Sequence, residues 1–442
     1  MKKDGVLILS HCGYSFVDQI VPLVRDENLS AYVLSSHPDF GHEHRVQALK
    51  DLADWASIID THELEWHDIE SAIDSLQQQG IKINACITVW EGYRPLMAMA
   101  NQALGIRDLL PGKVEELTDK LFLRQQLCAN GLSKAIAEPL SRQLLMQYQH
   151  ENAQKFIKPR KGIASVGTFR LTKNTNWEDI KLIEKECQMD TVYRSIFDKE
   201  DNFIIEDLIN GIEASFEILV VDGLVYTIAV HEKVETSSKE MTTLENACVC
   251  PPINISENVV QQGIAWLKEV FSNLKINYGC FHVEAKYNEC WELIEINPRV
   301  GGSLISSSVE HFTGGDSMLK LWLQTLLITS ANSEMLIDHL KRLDIADQGT
   351  SPSNRSTFFR VYFGEAGIVA DVKQAAITPA PLICQILIKP GTKFISETKE
   401  NFVGQALWGD SLEHMTRNYK PLLTNSRDLL NITYTLANQG AA

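Results

Sequence analysis

The chain lacks the glycine fingerprint that opens a dinucleotide-binding fold. Its first apolar run, Val6-Leu7-Ile8-Leu9, leads into His11-Cys12-Gly13 rather than G-x-G-x-x-G, which disfavours a dinucleotide cofactor. Positive charge is also short. A net charge of -16 over 442 residues argues against general binding of nucleic acid or an anionic membrane and leaves room only for a local basic pocket. Long apolar runs are missing: the richest helical stretch, Met318 to Ile328, is interrupted by Lys320 and Gln324 and is too short to span a bilayer. Lys2-Lys3 and the short run after them are not followed by a small-residue cleavage pattern, so a first strand is expected instead of a signal peptide. Nine scattered cysteines make no disulfide framework, and Cys248-Val249-Cys250 has no second pair to complete a metal site. Repeats and low-complexity tracts are absent. What is left is a cytoplasmic protein with free thiols, 44% hydrophobic and long enough for two or three packed units.

Three units are expected. In residues 1–112 the apolar runs Val6-Leu9, Ala31-Leu34, Ser57-Ile59 and Ala85-Val89 alternate with amphipathic segments near 15–25, 68–79 and 94–104, the pattern of a parallel α/β sheet. Leu110-Pro111-Gly112 then precedes a helix expected from Val114 to Asn130, closed by Gly131. Residues 113–205 hold that helix and a smaller unit. There Lys155-Phe156-Ile157-Lys158-Pro159 reads as a strand, followed by a loop with Gly162, Ser165 and Gly167 and a return strand, Thr168 to Leu171. Small residues in such a loop let backbone N–H groups approach an anion. A Walker A assignment fails, because Thr168-Phe169 stands where Lys and Ser/Thr are needed. Residues 206–442 form the third unit, with an Asp222-Gly223 hairpin and a final β-rich lobe from about Ser356.

The stretch with most chemical content is Glu292-Leu293-Ile294-Glu295-Ile296-Asn297-Pro298. It alternates polar and apolar, as does Cys280 to Lys286 before it, and the two read as a hairpin in which Lys286 faces Trp291 and His282 faces Glu295. His282, Glu284, Lys286, Leu293, Glu295 and Asn297 then share one face, with Phe281, Val283, Ala285, Ile294 and Ile296 on the other. Carboxylates crowded beside an amide oxygen repel one another unless a cation lies between them, and such hard oxygen donors suit Mg²⁺. Cross-strand charge pairs on a solvent-facing hairpin are the competing reading.

Taken in order, Lys120, Lys158 with its Gly/Ser loop, Glu206 to Glu213, Glu284, and Glu295-x-Asn297-x-Arg299 resemble the ATP-grasp superfamily. Within it the chain is similar to carboxylate–amine ligases, which include the bacterial L-amino acid (dipeptide) ligases. The resemblance implies an ATP-grasp fold of α/β and α+β character: an N-terminal parallel α/β domain, a small lid domain and a large antiparallel-sheet domain. It implies that ATP is held by Lys120 and Lys158 on the phosphates, with Ser165 and Gly167 in the covering loop. Glu206 and main chain around Asp207, Leu208 and Ile209 would lie at adenine, and Glu213 at ribose. Glu284, Glu295 and Asn297 would hold Mg²⁺, one ion or two, with Mn²⁺ as a substitute. Arg299 and Lys158 would stabilise the transferred phosphoryl group. His231 stands either at an acyl phosphate or in a structural hydrogen bond.

The activity implied is ATP-dependent joining of a small-molecule carboxylic acid to an amine or amino acid, by a homodimer. Ala247-Cys248 stands where many relatives have Gly-His, which leaves the substrates open. Biotin-carboxylase-like chemistry is less favoured because Val300-Gly301-Gly302-Ser303 follows Arg299. Phosphorylation of an enol stays open within the fold. A nucleotide-binding regulator without turnover is the alternative of another class.

Overall fold

A computed structural model of the chain describes residues 4–13, 16–39, 42–197, 202–238, 242–349, 353–394 and 400–435. Strands Gly5–Ser10, Ser30–Ser35, Trp55–Ile58 and Ile83–Ile87 form a parallel sheet with spatial order third, second, first, fourth. Val6 to Leu9 are completely buried, as the apolar runs of a sheet covered on both faces require. Helices Val17–Asp26, Trp66–Gln78 and Arg94–Leu104 match the expected segments. An additional helix, His44–Leu52, buries only Leu49. Its apolar stripe is too thin to give a periodic signal.

The single helix expected from Val114 to Asn130 is two, Pro111–Thr118 and Lys120–Ala129. The break is at Asp119, whose ψ of 96° is extended. Its carboxylate accepts the N–H groups of Leu121 and Phe122 at 3.1 and 3.0 Å and pairs with Arg160. An aspartate that bonds nearby backbone competes with helix continuation and starts a new helix instead. The consequence for the site is that Lys120 occupies a helix N-terminus. Asp119→Ala should cost about 0.5–2 kcal/mol, read as a lower urea midpoint. A midpoint unchanged in this variant would mean that the cap contributes nothing.

The small unit contains a four-stranded sheet of Ala137–Pro139, Phe203–Asp207, Lys155–Pro159 and Phe169–Arg170, in that order. Its own core includes Leu145, Ile157, Phe169, Ile183 and Phe203. Because Phe203–Asp207 is a central strand here, a boundary after residue 205 would cut that strand. The unit extends through Asp207.

An eight-stranded antiparallel sheet dominates the rest, running in spatial order Cys290–Asn297, Gly279–Asn288, Ile212–Val221, Leu224–Ser238, Thr243–Cys250, Arg355–Phe363, Phe402–Ser411 and Ile383–Ile386. Asp222 (φ 51°) and Gly223 (φ 78°) both take the left-handed conformation that a two-residue hairpin turn needs. Strands Arg355–Phe363 and Phe402–Ser411 extend this sheet, so the expected separate lobe is smaller. It consists of a three-stranded sheet of Lys393–Phe394, Gly367–Gln374 and Leu430–Tyr434 and helix Leu412–Asn425 packed beneath Phe358 and Trp408. No helix among the described residues is long and apolar enough to cross a membrane.

The Gly279–Asn288 and Cys290–Asn297 hairpin forms, with a different register. Lys286 faces Glu292, Glu284 faces Glu295, and His282 faces Asn297. Glu289 alone makes the turn, with φ 66°. A bulge lies between the pairs Ala285–Leu293 and Glu284–Glu295, and it leaves Ile294 as the extra residue. The two irregularities together keep Glu284, Glu295 and Asn297 on one face. They also reverse the expected placement of two residues: Leu293 is buried in the core and Ile294 lines the cavity.

Candidate active site

A cavity of about 320 Å³ opens between the small sheet and the large one, lined by Lys120, Lys158, Glu284, Glu295, Asn297 and Arg299 among others. Glu295 accepts Asn297 Nδ2–H at 2.8 Å and lies 3.1 Å from Lys120 Nζ. Burial opposes its charge, yet Lys120 holds its carboxyl down to about 2. Glu284 is 3.0 Å from Lys233 Nζ and 3.2 Å from His282 Nε2. Here too burial opposes the charge, and Lys233 with His282 lowers the carboxyl nonetheless. Both acids are therefore ionised at neutral pH, and with the Asn297 amide oxygen they offer the hard donors that suit Mg²⁺.

Lys158 Nζ lies 2.6 Å from Glu206 and donates to the Ile294 carbonyl at 3.2 Å. That carbonyl belongs to the bulge residue, which ties the hairpin irregularity to the position of the lysine. Arg124 Nη2 also reaches Glu206, at 3.2 Å. Glu206 thus anchors two cations at the inner wall. Lys120 Nζ donates to the Gly162 carbonyl at 3.2 Å, so the 160–167 loop lies directly over it. Ala164, Ser165 and Gly167 have φ of 54°, 50° and 65°, and the loop docks on the large sheet where Thr242 Oγ1–H donates to the Ser165 carbonyl at 2.9 Å.

Of the other predicted residues, Ser165, Glu206, Leu208, Ile209 and Glu213 line the cavity. Gly167, Asp207 and His231 do not. Gly167 packs against Phe203. Asp207 turns to Lys155 at 2.7 Å and to the Ile136 N–H at 2.8 Å. His231 is completely buried with Nε2 2.8 Å from Ser308 Oγ, so the geometry favours its structural alternative over contact with an acyl phosphate. Glu213 bonds Lys233 at 2.6 Å and Lys286 at 3.1 Å.

Several residues that hold the site escaped the sequence reading. Lys233 sits inside the triangle of Glu213, Glu245 and Glu284, whose oxygens lie within 4.8 Å of one another. Its ammonium supplies the positive charge that such a cluster requires. Arg299 donates to Glu91 at 2.7 and 3.1 Å, while Arg94, paired with Asp108, donates to the Pro298 carbonyl at 2.8 Å. The N-terminal domain therefore fixes both Arg299 and the residue before it. Contacts this far apart in sequence leave no local signal.

Glu217 did leave one, as a lone acid in the apolar run Phe216-Glu217-Ile218-Leu219. It accepts from His282 Nδ1–H at 2.9 Å, and both are buried. Burial disfavours either charge, but the pairing lowers Glu217 to about 2 and raises His282 to about 10. The depressed acid stabilises the fold above its unfolded value near 4.5, and this is lost as pH falls toward 2. The raised histidine stabilises below its unfolded value near 6.5, and this is lost as pH rises toward 10. Wild-type protein minus Glu217→Gln should then give a stability difference greatest between pH 4.5 and 6.5. A difference flat from pH 3 to pH 9 would show that the pair is not ionic.

The ATP-grasp domain family matches residues 152–307. No curated protein sequence matches the chain. Among solved structures, the L-amino acid ligase from Bacillus licheniformis is 19% identical with a TM-score of 0.69, over 98% of this chain and 100% of that one. Phosphoribosylglycinamide synthetase from Anaerococcus prevotii is 14% identical with a TM-score of 0.63, over 98% and 100%. The biotin carboxylase domain dimer of Hydrogenobacter thermophilus 2-oxoglutarate carboxylase, solved with MgADP, ADP and bicarbonate, is 12% identical with a TM-score of 0.62, over 98% and 90%. Residues 152–307 thus match the ATP-grasp domain family, and over nearly its whole length the chain shares its fold with these structures.

Proposed function

We propose that the protein is an ATP-dependent carboxylate–amine ligase. The observation that carries this reading is the convergence of Glu284, Glu295 and Asn297 with Lys120, Lys158 and Arg299 on one cavity. A carboxylate is a poor acyl donor because it would have to expel oxide. Attack of its oxygen on the γ-phosphorus of ATP expels ADP and forms an acyl phosphate. An amine then attacks the acyl carbon, phosphate leaves and the nitrogen loses a proton, giving an amide.

Catalysis by this chain is chiefly positioning and electrostatic stabilisation. Lys120 and Lys158 place fixed positive charge at the phosphates, under the 160–167 loop. Leu208 and Ile209 give the base an apolar wall with backbone at its edge, and Glu213 is available to ribose. Arg299, held by Glu91, is set to meet the charge that develops on the transferred phosphoryl group. Glu284, Glu295 and Asn297 would hold Mg²⁺, or Mn²⁺ in its place, which when bound neutralises phosphate oxygens. The proposal includes a homodimer, supported by the domain dimer of the 2-oxoglutarate carboxylase structure.

The test is phosphate release from ATP and Mg²⁺ with paired pools of acids and amines, followed by mass spectrometry. Release that needs both partners, with a product one water lighter than their sum, is the expected result. Release with bicarbonate alone would replace the ligase with carboxyl-phosphate chemistry. No release in any pool, with ATP binding intact, would favour a regulator.

A further inference from the structure

The far end of the cavity has a different chemistry from the phosphate end. Strand Arg355–Phe363 alternates, so Phe358 and Tyr362 point into the core shared with helix Leu412–Asn425 while Phe359, Val361 and Phe363 point into the cavity. Cys248 lies opposite Phe359 on one neighbouring strand, and Phe402 lies opposite Phe363 on the other. The Phe363 and Phe402 rings meet edge to face at 5.9 Å. Both are only partly buried, and Ile305 closes the wall from the helix that follows the metal strand.

Five apolar side chains from three adjacent strands thus share the face that lines a polar cleft. A phosphate-binding surface has no use for them, since ATP is met by lysines and acids elsewhere. Apolar pocket walls with a few polar groups at one end are how small-molecule sites select a side chain. The polar end is adjacent: Arg299 leads through Gly301 and Gly302 to Ser303, whose Oγ–H donates to Gln405 on the wall's outer strand at 2.8 Å. A side chain at Gly302 would meet nothing within 4 Å, so the backbone there is open to the cavity. Glu400, two residues before Phe402, hydrogen-bonds Ser165 of the covering loop.

We propose that Phe359, Val361, Phe363, Phe402, Ile305 and Cys248 form the side-chain subsite for the acid substrate, and that this acid carries a branched aliphatic or aromatic group. The inference rests on the ligase reading, which sets the acid's carboxylate beside Arg299. From there, the short Gly301–Ser303 connection leads onto the wall, whereas Leu208 and Ile209, proposed to meet the base, follow strand Phe203–Asp207 of the small sheet. The acid's carboxylate therefore meets fixed charge and its side chain meets carbon.

The test separates this subsite from the reaction. In the acid arm, L-leucine, L-phenylalanine, 4-methylpentanoate, L-serine and L-aspartate are each paired with glycine amide, which has no carboxylate to activate. In the amine arm, L-leucine amide and L-serine amide are paired with one fixed acid. Calorimetry of each acid with a non-hydrolysable ATP analogue and Mg²⁺ gives binding without turnover. Leucine, phenylalanine or 4-methylpentanoate should exceed serine and aspartate by about 10-fold or more in kcat/KM and in affinity. Val361→Thr, which keeps the shape, and Phe363→Ala should each shrink that ratio. An apolar preference in the amine arm alone would overturn the assignment to the acid. Turnover of only polar acids would overturn the subsite and leave the ligase standing. Binding of apolar acids without phosphate release in any pair would leave the subsite standing and overturn the ligase. Binding of ATP analogue but of no acid would overturn the subsite.

Discussion

Glu295→Gln should lower phosphoryl transfer by at least about 10²–10³-fold, the cost of losing one preorganised charge contact at a reacting group. The substitution keeps the size and the contact with Asn297 but removes the negative charge that Lys120 faces at 3.1 Å. In the wild-type cavity burial opposes the Lys120 charge, and Glu295 together with Glu91 and Glu284 raises its pKa nonetheless. On the proposed reading the variant loses a ligand for the divalent cation and also the acid that faces Lys120. Circular dichroism and the urea midpoint should stay close to wild type. Affinity for the divalent ion, followed by calorimetry with the ATP analogue, should fall with turnover. Wild-type phosphate release from Glu295→Gln would remove the Glu284, Glu295 and Asn297 face from the mechanism.

Asp108→Ala should destabilise the protein by about 3–5 kcal/mol, because it leaves the Arg94 guanidinium buried without its counter-charge. Arg94 is completely buried and Asp108 nearly so, and the carboxylate also accepts from Asn101 Nδ2–H at 2.8 Å. Replacing both ions with carbon, as Arg94→Met with Asp108→Leu, should recover most of that stability. The double variant should nevertheless have a lower kcat, because the Pro298 carbonyl loses its donor and Arg299 follows it in the chain. A double variant with full stability and full kcat would show that the link to Pro298 does not position Arg299. Chemical denaturation and steady-state phosphate release separate the two effects.

The N-terminal parallel sheet was legible because it rests on periodicity, whereas the lid and the large antiparallel sheet were expected from the family resemblance. Four apolar runs with amphipathic segments between them give a parallel sheet however the chain is cut, and Asp-Gly at 222–223 specifies its turn locally. What was not legible depends on single residues acting at a distance or against a pattern. Asp119 ends a helix that its neighbours would continue. The bulge at Ile294 changes which of two adjacent apolar residues faces the site, and alternation alone counts both the same. Of the fourteen candidate residues, eleven line one cavity, while Gly167, the Asp207 side chain and His231 lie outside its lining. Glu91, Arg94 and Asp108 come from a domain whose sequence holds no catalytic pattern, and only the folded chain places them behind Arg299.

Those same contacts limit how modular the protein is. The matched segment, residues 152–307, contains the metal face and Arg299 but none of the three N-terminal residues that hold Arg299 and Pro298 in place. Grafting a different N-terminal domain onto this scaffold to change specificity would therefore have to carry Glu91, Arg94 and Asp108 across as a set. The wall proposed for the acid's side chain, at Cys248, Ile305, Phe359, Val361, Phe363 and Phe402, includes none of those three residues. On the ligase reading, selection can change the acid that is accepted while the interface that holds Arg299 stays the same.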